Sequence, residues 1–319
     1  MTENAAAVAV FAILGVLPLL FGGYVIYILP QYMLYGVLAM SLALMWGYAG
    51  ILSFGQAAFF ALGGYTMGLV MQAIGAPEAA YLGILVAATI GAALAALVGY
   101  FLFSAGVRDT YFVIVTLALS IMVEQIAVSQ SQITGGWNGM FVDRMDLAFG
   151  PLGAVSLWDD WAIYYVVLPV VALVYGVLRW QIQGPFGKIL AGIRENEDRM
   201  VALGFRTPLY KTVAFAVSGA MCGLAGALYA THASFVSPSL GGVLFSTEIV
   251  VWVAIAGRQS LLAALLGGIV VASLSNYLSS VAPEYWQLFL GLLFILAIVF
   301  FRGGVAGVFA QLGRPRGGE

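Results

Sequence analysis

The feature that most constrains this chain is a series of long apolar runs that contain almost no charged residues. A run of about 18 or more such residues is long enough to cross a bilayer as an α-helix. Only 8% of the 319 residues are charged, whereas about 25% are charged in an average soluble domain. A membrane β-barrel would show alternation in segments of about 10 residues, which the sequence lacks. The sequence predicts an all-α polytopic membrane protein with residues 1–319 as one transmembrane domain.

Ten apolar segments are candidate spans, and we expect about ten transmembrane helices. The second, eighth and tenth are short for a hydrocarbon core about 30 Å thick. Some of these helices are therefore expected to be broken or re-entrant, which is tolerated only where protein or a cavity covers the freed backbone. The segments are 5–28, 31–46, 52–73, 80–103, 111–130, 161–180, 212–230, 243–257, 259–281 and 286–301.

The distribution of basic residues predicts the orientation, because cytoplasmic loops carry an excess of Lys and Arg. With the N-terminus inside, the cytoplasmic loops and ends hold eleven of the 12 Lys and Arg residues, and the outer loops hold only Arg144. We therefore expect both termini to be cytoplasmic. The two longer loops are then a periplasmic one at about 131–160 and a cytoplasmic one at about 181–211.

The cytoplasmic loop concentrates charge in the phrase RENEDR, residues 194–199. Apolar residues recur around this phrase at roughly helical spacing, and Glu195 precedes Arg199 by four residues, the favourable order for a helical ion pair. Gly204 is a typical C-terminal stop, and Pro208 prevents the helix from continuing. The pattern predicts one or two short amphipathic helices on the inner face.

Two interpretations of these helices stay open on physical grounds. They could form a solvated connector, or a docking element for a soluble partner with Met200, Val201 and Leu203 as apolar anchors. The preceding GPFGK does not complete a phosphate-binding loop, because Ile182 and Ile189 occupy positions that require Gly and Ser or Thr. If ATP powers this protein, another subunit hydrolyses it.

Ionisable residues within a span are costly and suggest function. Glu124 and Glu248 are such residues, and Thr116, Ser120 and Glu124 share a helical face at i, i+4 and i+8. This polar stripe could line a translocation path. The alternative is hydrogen bonding between helices or a position near the outer interface.

The stretch SFGQAAFFALGGYTMG combines Ser53 and Gln56 with four glycines. Small residues at this spacing allow close helix packing. A Gly-broken helix that exposes its backbone to substrate is the alternative. The single cysteine, Cys222, excludes an internal disulfide and a multi-cysteine metal site; no metal and no cofactor are predicted.

Three blocks of the sequence resemble the permease subunits of ABC importers for branched-chain amino acids. They occur in the expected order, and the resemblance covers most of the chain from about residue 35 onward. The first block is also similar to the urea and short-amide permeases of the same superfamily, so the substrate class stays open. The blocks are GYAGILSFGQAAFFALGGYTMG at 47–68, YFVIVTLALS at 111–120 with TGGWNG at 134–139, and the segment 184–230 from GPFGKILAG to GALYA.

The resemblance implies a transmembrane permease subunit in the bacterial inner membrane that is not itself an enzyme. Its partners would be two cytoplasmic ABC ATPase subunits, a second related permease subunit and a periplasmic solute-binding protein, with a small-molecule substrate and membrane lipid; no nucleic-acid partner is expected at a net charge of −2. A coupling helix between the sixth and seventh spans would contact the ATPase. The predicted coupling residues are Arg194, Glu195, Glu197, Asp198, Arg199, Met200, Leu203 and Gly204.

The translocation path and the binding-protein contact complete the predicted sites. Two rival hypotheses are an ion-coupled secondary transporter, in which Glu124 or Glu248 carries protons or sodium, and a channel for a small neutral solute such as urea. The predicted path residues are Ser53, Gln56, Thr116, Ser120, Glu124 and Glu248. The predicted binding-protein contacts are Thr134, Gly135, Gly136 and Asn138, in a segment that could equally be a flexible periplasmic loop.

Overall fold

The computed structural model describes residues 3–75, 79–107, 109–144, 146–148, 154–156 and 159–286, with the single positions 288, 289, 291, 292 and 295. The helices are α1 (Glu3–Leu20), α2 (Tyr24–Ala43), α3 (Gln56–Ile74), α4 (Ala79–Ser104), α5 (Asp109–Ser129), α6 (Ser131–Thr134), α7 (Asp160–Gln183), α8 (Pro185–Glu195), α9 (Glu197–Ala202), α10 (Thr207–Ala233), α11 (Val243–Ala256) and α12 (Leu261–Val281). The strands are β1 (Met140–Phe141), β2 (Asp146–Ala148), β3 (Ala154–Ser156) and β4 (Phe235–Val236). β1 pairs with β4 and β2 with β3, both antiparallel.

Eight of the described helices are long and apolar enough to cross a membrane: α1, α2, α3, α4, α5, α7, α10 and α12. This confirms the prediction of a polytopic α-helical membrane protein. The exact number of spans and the sides of the termini stay predictions. Most of the tenth predicted span and the whole C-terminal segment lie outside the described residues.

The predicted boundary between the first two spans is wrong. The break lies at residues 21–23, where Gly23 adopts a φ of +67°, and Pro30 is inside α2. α2 continues through a π-helical segment, Leu44–Tyr48, so the span expected to be short is instead 25 residues long. A left-handed glycine turns the chain out of the helix, whereas a proline removes one backbone hydrogen bond, which a packed membrane helix tolerates.

The eighth apolar segment forms a short helix, as its sequence predicts. α11 has 14 residues, or about 21 Å at 1.5 Å per residue, which is less than the roughly 30 Å core. A 3₁₀ turn at Pro238–Gly241 precedes it. The chain therefore enters α11 from a non-helical segment.

Glycines bring α10 into close contact with α3 and α4. A side-chain carbon added to Gly63 of α3 would collide with the backbone of Gly223, and one added to Gly219 would collide with the backbone of Gly91. Such direct backbone contact requires small residues on both helices. Close packing, the first interpretation of the glycine-rich stretches, is what the structure shows at these positions.

Contacts between helix termini define one end of the bundle, here called the basic end. Arg179 at the end of α7 forms an ion pair with Glu3 at the start of α1. The Tyr48 hydroxyl, at the end of the π-helical segment, donates to the backbone oxygen of Gln259, which precedes α12, over 3.0 Å. Helices α1, α2 and α7 and the α11–α12 turn therefore meet at this end.

The opposite end carries the loops predicted to be periplasmic. Strands β1 and β4 pair there, the ring of Tyr27 lies 5.4 Å from that of His232, and Arg144 forms an ion pair with Asp160 at 3.4 Å. The basic side chains Arg179, Lys211 and Arg258 belong to the first end. Among the described residues, this distribution of basic side chains is consistent with the predicted orientation, which stays a prediction.

Candidate functional sites

The phrase RENEDR forms the junction between two helices at the basic end. α8 ends at Glu195, and Asn196 adopts extended backbone angles (φ −160°, ψ 100°). The Asn196 side chain accepts a hydrogen bond from Arg199 N at 2.8 Å and so caps α9. Two short helices agree with the prediction. The expected helical pair between Glu195 and Arg199 is wrong, because Asn196 interrupts the helix between them.

An ion pair attaches α9 to α10. Lys211 Nζ lies 2.6 Å from Glu197 Oε1, and the lysine side chain is only 5% exposed. The Thr207 hydroxyl donates to the same carboxylate oxygen over 2.9 Å, and the Lys211 ammonium lies 5.0 Å from the ring centre of Phe103. Glu197, predicted to contact a partner protein, is therefore bound within this chain. The sequence pattern carried no signal for its pairing with Lys211.

Arg194 connects α8 to the π-helical end of α2. Its guanidinium donates to the backbone oxygen of Gly47, and its side chain packs against Gly50, whose φ is +78°. π-helical turns are rare and frequently lie at functional sites. The guanidinium of Arg258 stands 5.1 Å from the ring centre of Trp46 in the same segment. The end of α2 therefore contacts both α8 and the turn before α12.

The surface of α9 presents an apolar tip. Val201 is 53% exposed and Leu203 is 67% exposed, and Gly204 ends the element with a φ of +89°. Met200, expected as an anchor, instead packs its sulfur against Gly192 of α8. The large apolar side chains exposed on the element are thus Val201 and Leu203. The other exposed residues with predicted coupling roles are Arg194, Glu195, Asp198 and Arg199.

A polar cleft of about 300 Å³ lies where α8 and α9 meet the membrane helices. Arg194, Asp198 and Lys211 line it together with Gly50 and Phe103. All three carboxylates of RENEDR and the residues that directly follow the π-helical segment therefore border one space. Sequence reasoning placed the charged phrase on this face but did not predict the cleft.

Thr116 and Ser120 hold the non-helical segment before α3. Thr116 Oγ1 accepts from Phe54 N at 3.1 Å, and Ser120 Oγ donates to Phe54 O over 2.7 Å. Both side chains are fully buried. They therefore supply hydrogen bonds to a backbone that no helix satisfies. The Gly-broken entry to α3 exists, but protein covers it at this point.

Ser53 and Gln56 are also occupied within the chain. Ser53 Oγ accepts from Gly55 N at 3.1 Å, and Gln56 Nε2 donates to Ser218 Oγ over 3.4 Å. Both residues are buried. These contacts explain both residues as part of the helix packing. Their role in a translocation path stays a prediction.

Glu124 lies at the start of α11. A side-chain carbon added to Gly242 would be 3.0 Å from both carboxylate oxygens of Glu124. The N-terminus of a helix carries a partial positive charge that favours a nearby carboxylate. Glu124 thus faces the entry to the short helix, whereas Thr116 and Ser120 of the same predicted stripe contact Phe54.

Glu248 borders a cavity of about 190 Å³ between α2, α11 and α12. Gln31 Nε2 donates to the Tyr35 hydroxyl over 2.9 Å, and Asn276 Nδ2 donates to the Tyr32 hydroxyl over 2.7 Å. All five residues line this cavity. Sequence reasoning found Glu248 but missed the four side chains around it, because they lie on two other helices.

The predicted binding-protein contact forms a tight turn after α5. The Thr134 hydroxyl donates to Gln130 O over 2.9 Å, and Gly135 and Gly136 have φ values of +77° and +60°. Asn138 is exposed. Trp137 in the same motif is 73% exposed and is a further candidate for this contact.

Within the described residues, no group of three or more His, Cys, Asp or Glu side chains could hold a metal ion. Comparison with known proteins gives the chain's relatives. The family described as "Branched-chain amino acid transport system / permease component" matches residues 24–298. No solved structure gave a significant match.

Three curated relatives illustrate the range of similarity. The high-affinity branched-chain amino acid transport system permease protein LivM of Escherichia coli K12 is 29% identical over 289 residues, or 84% of this chain and 66% of the relative. The probable LivM of Methanocaldococcus jannaschii is 28% identical over 64% of this chain and 66% of the relative. The autoinducer 2 import system permease protein LsrC of Escherichia coli O9:H4 is 25% identical over 52% of this chain and 49% of the relative. The matched region thus spans 66% of the length of these LivM relatives.

Proposed function

Because this chain belongs to the family of permease components of branched-chain amino acid transport systems, we propose that it is the membrane-spanning subunit of an ABC importer. In this proposal it forms, with a second related permease subunit, the path by which a branched-chain or related amino acid crosses the bacterial inner membrane. Two separate ATPase subunits power the transport, and a periplasmic binding protein delivers the substrate.

The observation that carries the proposal is the construction of α8 and α9. A pair of short helices with an exposed apolar tip at Val201 and Leu203 is attached to α2 through Arg194 and to α10 through Glu197 and Lys211. An exposed apolar tip with charged neighbours is typical of a protein contact surface. Attachment at two points lets a force on that surface act on two membrane helices together.

The amino-acid substrate is favoured by the extent of the similarity. The LivM relative from Escherichia coli matches 84% of this chain, whereas the LsrC relative matches 52%. The LsrC match also indicates that this superfamily takes other substrates. A urea or short-amide permease is therefore the second candidate, and the similarity of residues 47–68 to those permeases supports it.

ATP-driven uptake tests the proposal against its rivals. The chain, its partner permease and the two ATPases are reconstituted in proteoliposomes, with the binding protein and radiolabelled leucine outside. We expect uptake that requires enclosed ATP and the binding protein. Uptake by this chain alone, driven by a sodium or proton gradient, would instead establish a secondary transporter, and ATP-driven uptake of urea in place of leucine would establish the amide alternative.

A further inference from the structure

Three side chains that can accept hydrogen bonds border the cavity beside Glu248, together with tyrosine and serine hydroxyls and the unpartnered indole N–H of Trp252. The amide nitrogens of Gln31 and Asn276 are directed to tyrosine hydroxyls, and their carbonyl oxygens have no partner within the described part of the chain. Glu248 adds a carboxylate to the same lining. Three acceptor side chains from three helices therefore border one cavity.

The carboxylate of Glu248 is unpartnered within the part of the chain that the structure describes. Among the described residues it makes neither a hydrogen bond nor an ion pair, although it is partly buried. A buried carboxylate without a cation or donor is unfavourable, so the site favours a ligand that brings positive charge. A primary ammonium carries three N–H donors, one for each of the three acceptor side chains.

The wall and the size of the cavity favour an organic cation over a bare metal ion. Tyr35 and Trp252 stack with ring centres 5.2 Å apart and both border the cavity. Aromatic faces attract ammonium groups and also cover alkyl chains. A volume of about 190 Å³ is far larger than the roughly 30 Å³ of one water molecule. A monatomic ion would leave most of this space unfilled.

The cavity lies toward the end of the bundle predicted to be periplasmic. Gln31 is seven residues after the first residue of α2, and Asn276 is five residues before the last residue of α12. Both of these helix ends lie opposite the basic end. Asn276 is itself exposed, so at least this residue of the lining reaches the surface of the subunit.

We propose that this cavity binds the primary ammonium group of the transported molecule, with Glu248 as counter-ion and the carbonyl oxygens of Gln31 and Asn276 as further acceptors. The inference rests on the proposed transport function and narrows its substrate to an amine or amino acid. A neutral amide such as urea lacks the positive charge that this site selects.

Binding of simple amines to the purified full-length chain in nanodiscs tests the inference without ATP. Radiolabelled 3-methylbutylamine is the probe, and 4-methylpentanoate and 3-methylbutan-1-ol compete as the matching acid and alcohol. We expect the amine to bind and neither competitor to displace it at equal concentration. Equal displacement by the alcohol would overturn the proposal. The absence of saturable amine binding would also overturn it, as would a finding that the site binds sodium and not the amine.

Variants assign the effect to the carboxylate. Glu248→Gln keeps the shape of the side chain but removes its charge, and we expect amine affinity to fall about tenfold or more, the effect of losing a charge-assisted hydrogen bond. Glu284→Gln, an exposed carboxylate outside the cavity lining, is the matched control and should bind normally. Unchanged binding by Glu248→Gln would overturn the proposal. If that variant does not purify as monodisperse protein, the proposal is tested by whether the wild-type chain binds the amine in preference to the alcohol.

The transport assay and the amine-binding assay distinguish failure of the proposed function from failure of the proposed ammonium site. If the reconstituted transporter imports leucine with ATP and Glu248→Gln imports it equally well, the transport function stands and the ammonium site is wrong. If the chain binds amines through Glu248 but no ATP-driven import of leucine occurs, the site stands and the proposed function is wrong.

Discussion

The ammonium of Lys211 lies 2.6 Å from the carboxylate of Glu197 and is almost completely buried. This contact joins the first residue of α9 to the first turns of α10. One of the most polar phrases of the sequence is therefore held to the membrane helices by one of its own acidic residues. The acids of RENEDR differ in role, because Glu197 is bound inside the chain whereas Glu195 and Asp198 are exposed.

Removing one partner of this pair should destabilise the α9 attachment. Glu197→Ala leaves the Lys211 ammonium buried without its counter-charge, which costs about 3 kcal/mol in comparable pairs. We expect a lower midpoint of thermal unfolding in detergent, measured by fluorescence-detected size exclusion. The double variant Glu197→Leu with Lys211→Met is the control and should recover much of the loss. Equal midpoints for Glu197→Ala and wild type would contradict the buried pair.

The apolar tip of α9 should be needed for ATPase association. Leu203→Asp places a charge on a residue that is 67% exposed, so the free energy of unfolding should change by less than about 0.5 kcal/mol. The apolar contact with the ATPase would be lost. We expect the ATPase subunits to co-purify poorly with this variant. Lys188→Asp, an exposed residue near the other end of the α8–α9 pair, is the comparison and should retain them. Full co-purification with Leu203→Asp would exclude this contact.

Arg194 should transmit force without being required for association. Arg194→Ala removes the charge-assisted hydrogen bond to Gly47 O, an interaction typically worth about 1.5–3 kcal/mol. We expect ATPase subunits to co-purify normally and ATP hydrolysis to continue, while leucine uptake per ATP falls about tenfold. Arg194→Lys retains the positive charge and can donate through its ammonium, but it lacks the planar guanidinium, and it should give an intermediate ratio. A normal ratio of uptake to hydrolysis in Arg194→Ala would show that the contact has no part in coupling.

Direct backbone packing of α10 against α4 should not tolerate even one added carbon. In Gly223→Ala the new Cβ would collide with the backbone of Ala87, and overpacking of this kind costs about 1–3 kcal/mol. Gly176→Ala is the matched control, since nothing lies within 4 Å of its added carbon. We expect a lower unfolding midpoint for the first variant and an unchanged or higher one for the second. The same midpoint for both would contradict the observed helix approach.

The membrane class, the helical architecture and most of the helix positions could be predicted from the sequence. In a bilayer, a long apolar run has few conformations other than the α-helix, because its backbone groups must form hydrogen bonds within their own segment. The boundary at residues 21–23 was missed, because the apolar pattern continues past it, whereas the turn depends on the left-handed backbone of Gly23.

Long-range partners were outside the reach of sequence reasoning. Glu248 was identified as an intramembrane acid, yet its cavity depends on Gln31 and Asn276, which are 217 and 28 residues away in the chain and approach only when α2, α11 and α12 pack together. Likewise, Thr116 and Ser120 form a polar stripe in the sequence, but whether such hydroxyls face a path or a backbone is decided by the segment packed against them, here Phe54.

By itself, the sequence determined a helical membrane protein with a charged amphipathic element between two of its spans, because local hydrophobicity and helix periodicity are properties of neighbouring residues. Only the tertiary structure decided which charges are neutralised inside the chain, as Glu197 is by Lys211, and which face a cavity, as Glu248 does. The physical reason is that the energy of a buried charge depends on partners brought near by helix packing, and their identity is not encoded by local pattern.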